Sequence, residues 1–182
     1  MTDLLATGPR RRIRRALAWA ALFSLALITV HAQEKSAWRP ASESELKALI
    51  PARAPVVKER IETEFRTASG ITDGQHRFIA GVVLITAGYS AEGKYSHFLI
   101  VQAPIKVGEM LLVPGQYVFG WTHKEESLTV NFYEAASGKS LGSVAATLNP
   151  AIKAVASFRV WPPSDESVMQ IGRFTFPYQL AP

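Results

Sequence analysis

Ser127-Leu128-Thr129-Val130-Asn131-Phe132-Tyr133-Glu134 alternates without a break. On a strand, Leu128, Val130 and Phe132 point one way and Thr129, Asn131 and Tyr133 the other. That is the mark of a strand with one buried face. Working outward, Ser137-Gly138-Lys139 turns into a further strand over 140–147, and Asn149-Pro150 breaks the chain. Segments 154–161 and 168–176 read as the last two strands, joined by Pro162-Pro163-Ser164-Asp165. Upstream, the charged loop 123–126 leads back to a strand over 116–122, which Pro114-Gly115 introduces. Short strands at 105–107 and 110–112 flank Gly108-Glu109. Residues 95–103 and 77–87 are nearly continuous apolar runs, as in strands buried on both faces, with Gly81 marking a bulge or close packing. Asp73-Gly74 signals a hairpin.

Residues 56–67 fit two periods. Val57, Ile61 and Phe65 are spaced as on a helix, but Lys58, Arg60, Glu62, Glu64 and Arg66 form an unbroken charged face of a strand. Thr63 and Thr67 favour the strand. Before it, Ser42 and Glu45 make a capping box for a short helix with Leu46, Leu49 and Ile50 on one face, and Pro51 ends it. Turn signals at short intervals, with no long helix between strands, predict an all-β fold. The expectation is an antiparallel sandwich or barrel-like domain of about eight to nine strands over 56–182, preceded by a polar arm with a short helix over 33–55.

Residues 105–121, IKVGEMLLVPGQYVFGW, and 127–144, SLTVNFYEAASGKSLGSV, resemble paired hairpins of small exported bacterial β-rich proteins of unknown function. Loosely written, these are V-G-x-x-L-x-P-G-x-Y-x-F-G followed by V-x-F-Y-D/E-x-x-S/T-G-K. Val113 stands where such hairpins often carry Pro or Ala. The resemblance implies an extracytoplasmic β-domain and no particular activity.

The N-terminus has the order of an export signal. Arg10, Arg11, Arg12, Arg14 and Arg15 precede an uncharged apolar run over 16–30, and Val30 and Ala32 fit a small-x-small cleavage site before Gln33. A retained anchor is the competing reading, but a spanning helix wants roughly 20 apolar residues. The expected location is therefore periplasmic or secreted, with membrane contact only through residues 1–32 before cleavage. Those residues hold five of the arginines and a single acid, Asp3, so most of the +5 formal charge leaves with them. The nearly neutral remainder has no basic patch for nucleic acid. The chain has no Cys, which excludes a disulfide framework, thiol catalysis and a lipid-anchored cysteine.

Candidate chemistry is sparse. His76, His97 and His123 have no acid or second His at ligand spacing, so no metal or other cofactor is expected. Neither a nucleophile elbow nor a phosphate loop is present. Tyr117, Phe119 and Trp121 share a strand face, and Arg159 and Trp161 share another. Inward aromatics of a β-domain core are the commoner meaning, while an aromatic platform would stack on sugars or other flat ligands. Tyr117, Trp121, Arg159 and Trp161 are thus the candidate ligand-binding residues. Three readings follow: a non-catalytic binding or structural module of the cell envelope, with a glycan, a lipid or an envelope protein as partner; a hydrolase-like enzyme using His97 or His123 with Glu109, Glu125 or Glu134; or an accessory subunit docking through residues 33–66.

Overall fold

A computed structural model describes residues 38–182 apart from Glu125. The expected signal peptide over 1–32, with its cleavage between Ala32 and Gln33, lies outside the described residues. The elements are β1 (Arg39–Pro40), α1 (Glu43–Leu49), β2 (Arg53–Val56), β3 (Glu59–Thr72), β4 (Phe78–Ile85), β5 (His97–Val101), β6 (Ile105–Val107), β7 (Met110–Leu112), β8 (Gly115–Lys124), β9 (Ser127–Glu134), β10 (Ser140–Leu148), β11 (Ala156–Val160), β12 (Val168–Gly172) and β13 (Phe174–Leu180). The protein is all-β. Thirteen strands are described where eight to nine were expected. The strands not expected are β1 and β2, and the segment 168–176, read as one strand, turns at Gly172-Arg173 into the hairpin β12–β13. The short β6 and β7 form as expected, and β1, β2, β6 and β7 flank a nine-strand ring in the order β3-β4-β5-β8-β9-β10-β13-β12-β11.

Every pairing along the ring is antiparallel. Nine is an odd number, so β11 returns alongside β3 in the parallel sense and forms no ladder with it. The barrel is nearly closed by other means. The Val160 N–H donates to Ser69 Oγ at 3.1 Å, and the Phe158 ring seats over Gly81 of β4. The β3–β4 register shifts between Glu64 and Ser69, where the Val83 N–H bonds to Thr67 Oγ1 instead of to backbone.

The ring interior holds the main core. Leu99, Phe119, Val130, Phe132 and Phe176 are fully buried in it, and the alternation of 127–134 is borne out. A second core covers the outside of β4, β5 and β8: Leu46 and Ile50 from α1, Ala54, Val56 and Ile61 from β2–β3, and Ala91 and Tyr95 from the β4–β5 connection lie over Val82, Phe98 and Val118. Burial on both faces accounts for the continuous apolar runs of β4 and β5.

Residues 38–55, read as a polar arm, belong to this body. The capping box forms as expected, with the Glu45 N–H on Ser42 Oγ and the Ser42 N–H on Glu45 Oε2. Beyond it β1 and β2 pair with β3. Residues 56–67 are strand, as the charged face indicated.

The two ends of the barrel differ. The β6–β7 hairpin pairs with β13 and packs beside β10, and Ile105, Val107 and Leu112 fill the interior there with Trp38. At the other end the interior is not filled.

Candidate functional site

The open end is framed by the last residues of β4, β8, β10 and β12 and the first of β5, β9, β11 and β13. It encloses a cavity of about 640 Å³, within the size of small-molecule sites. Its walls are mostly apolar: Val83, Leu128, Ile171 and Phe174 inside, with Trp121 and Val155 at the rim. Trp121 is 42% exposed and Val155 73%, high for side chains of their size.

His97 forms the floor. Its ring stacks on Phe119 at 4.6 Å between centroids and 6° between planes. Nδ1 lies 2.8 Å from Ser96 Oγ and Nε2 3.3 Å from the Ser157 carbonyl oxygen. A carbonyl can only accept, so Nε2 carries the proton and Nδ1 accepts from the Ser96 hydroxyl. Burial pushes the His97 pKa down to about 4, the Ser157 bond opposing, so the ring is neutral near neutral pH. Each polar group at the floor thereby has its partner inside the protein. Among the described residues no buried side-chain polar atom lacks one. Chemically the cavity is an apolar cup whose floor is an aromatic stack.

The sequence candidates are dispersed. Trp121 and His123 line the cavity. Tyr117 does not reach it: the ring is buried nearer the filled end, with its hydroxyl donating to the Val113 carbonyl at 2.6 Å. Inward aromatics of one strand cannot form one platform when the barrel interior is filled along part of their length. Phe119 is likewise core. Arg159 and Trp161 stack on each other at 4.0 Å, and the Trp161 Nε1–H donates to Gln170 Oε1 at 3.0 Å. Arg159 belongs to the groove between β3 and β11, away from the mouth.

His97 and His123 do share the cavity, and no carboxylate among the described residues lines it. Glu109 pairs with Lys106 on the β6–β7 turn, and Glu134 accepts from Ser137 beyond the far end of β9. Glu125 lies outside the described residues. His76 is exposed on the β3–β4 turn. Among the described residues no three His, Asp or Glu side chains gather as a metal site would need.

Sequence reasoning missed Val83, Ser96, Val155, Ser157, Ile171 and Phe174. Each sits at a strand end, and only the strand order brings those ends together. No protein-family model, curated protein or solved structure matches this chain, so the reading of the cavity rests on its own geometry.

Proposed function

We propose that this chain is a non-catalytic binding module of the cell envelope that takes an apolar small molecule into the open mouth of its barrel. The observation that carries the reading is the cup itself, apolar-walled, with its polar floor already satisfied. Such a floor contributes neither a free base nor an oxyanion donor, which favours binding over catalysis. The exposed apolar side chains agree. Of the seven large ones among the described residues, Trp121 and Val155 line the mouth, and Ile85 and Leu148 end β4 and β10 at the same end of the barrel. Concentration of exposed apolar surface at one place marks a binding site more than scattered residues do. The location outside the cytoplasm follows from the export-like order of residues 1–32, and the resemblance of 105–144 to exported β-hairpins supports it.

The test is titration of the full chain with N-phenyl-1-naphthylamine, a neutral apolar fluorophore. Saturable one-to-one binding is expected, with quenching of Trp121 emission. Val83→Trp fills the cup from its wall and abolishes binding with unchanged circular dichroism; Trp121→Glu, which alters only the rim, weakens it. Absence of dye binding, or equal binding by both variants, refutes the reading, because the dye would then sit elsewhere.

A further inference from the structure

Resting on that reading, we infer that the occupant is a single-chain anionic amphiphile, its alkyl chain in the cup and its head held at the rim by Lys153 and Arg173. The floor decides the orientation. The Nε2–H of His97 is committed to Ser157, its Nδ1 to Ser96, and no other unpartnered donor or acceptor side chain is described at that depth. A polar group carried to the floor would lose its water and find no partner there. The apolar end therefore enters first and the polar head stays at the mouth.

The rim decides the charge. Arg173 is the β12–β13 turn residue between Gly172 and Phe174, both of which line the cavity. Lys153 stands two residues before the rim residue Val155, and its Nζ donates to the Pro150 carbonyl at 3.3 Å. The Asn149 N–H, donating to the Arg173 carbonyl at 3.0 Å, ties these two turns together. Neither turn, 149–155 or 172–174, contains an acid. The acids described near the mouth are Glu126, on the β8–β9 turn beside Lys124, and Glu62 and Glu64 of β3, which stand opposite Ile85 and Val83 and are paired with Arg53 and Arg66. One side of the mouth is thus apolar below and cationic above, which matches a chain with an anionic head. The cavity of about 640 Å³ suits one alkyl chain.

The experiment displaces the neutral dye from the full chain with alkyl carboxylates of 8, 10, 12 and 14 carbons, all below their micellar concentrations. Dodecyl phosphate and dodecylamine serve as head controls. Affinity is expected to rise about fourfold per methylene until the cup is full and then level off. Dodecanoate or dodecyl phosphate should bind roughly fivefold tighter than dodecylamine, the scale of two solvent-exposed ion pairs; whichever anion wins names the head. The double variant Lys153→Glu, Arg173→Glu should invert that preference and leave dye affinity unchanged. Dye binding with an equal or stronger affinity for the amine, or a preference unmoved by the charge reversal, overturns the amphiphile while leaving the apolar cup intact. No binding of dye or alkyl chain overturns both.

Discussion

Gly81→Ala reports on how the barrel closes. In an ordinary strand interior this change stabilises by about 0.5–1 kcal/mol, because alanine loses less backbone entropy on folding. Here a Cβ at position 81 would stand 2.6 Å from Cε1 of Phe158 and 2.9 Å from the Phe98 carbonyl oxygen. Neither neighbour gives way easily. The carbonyl belongs to the central strand β5, and the Phe158 ring is wedged against His97 and Phe119 at 5.6 and 5.7 Å. Overpacking of this kind costs about 1–3 kcal/mol, so the sign reverses. A net loss of about 1–2 kcal/mol is expected, or a fall in Tm of roughly 3–8 °C for a domain of this size.

The assay is urea unfolding followed by circular dichroism on the wild type, Gly81→Ala, Phe158→Leu and the double variant. Phe158→Leu alone destabilises by removing ring contacts. It also vacates the space the new methyl needs, so the double variant should be more stable than the sum of the single changes implies, by about 1 kcal/mol. A Gly81→Ala protein as stable as wild type or more so, with no coupling to position 158, would refute the seating of β11 on β4 through this ring.

Three further outcomes are expected. His97 is neutral in the fold, whereas in the unfolded chain it takes a proton below its ordinary pKa near 6.5; stability is therefore whole above that pH and declines as pH falls from 6.5 to about 4, by about 3 kcal/mol in total. Urea midpoints against pH should show that slope in wild type and not in His97→Phe, and identical slopes would remove the buried imidazole as the cause. Trp121→Ala should cost only about 1 kcal/mol in urea, since the ring is half exposed, yet weaken dye binding severalfold; a loss of stability with unchanged binding would make Trp121 a core residue. Deleting residues 38–55 strips Leu46, Ile50 and Ala54 from the second core, about 4–7 kcal/mol of apolar burial, and should leave a chain with no cooperative melt. A retained melt would restore the docking-arm reading.

What could be read in advance divides along a physical line. Period-two alternation and turn chemistry are local, so β9, the capping box at Ser42 and the Asp73-Gly74 turn were legible residue by residue. The Asp73 carboxylate accepts from the Gln75 and Arg77 N–H groups and from the Arg77 guanidinium, at 2.6 Å for the last, which is what an acid at that turn is for. Gly81 was readable as close packing, but not the ring that packs on it, because Phe158 lies on a strand that reaches β4 only through ring closure. The aromatic set failed for the same reason. Tyr117 and Trp121 occupy equivalent inward positions of β8, and the sequence carries no sign that the β6–β7 hairpin fills the interior beside one of them and leaves it open beside the other.

That asymmetry bears on function more than any single residue does. At the filled end, short strands bring Ile105, Val107 and Leu112 inward, and the aromatic interior meets no water. At the other end the chain had the simpler option of polar residues at the last inward position of each strand, since a barrel mouth in water needs no apolar lining for stability. Instead Ile85 and Leu148 end β4 and β10 on the inward face, Trp121 stands one inward position before His123 on β8, and Val155 leans in from the segment before β11. Each exposes apolar area that weakens solubility and adds little to the core. One such residue is ordinary; four around one rim, over a floor whose hydrogen bonds are closed on themselves, form a surface made to be covered. A molecule entering the cup covers Trp121 and Val155 while the fold stays as it is, with the charges of Lys153 and Arg173 left outside to meet whatever part of it remains in water.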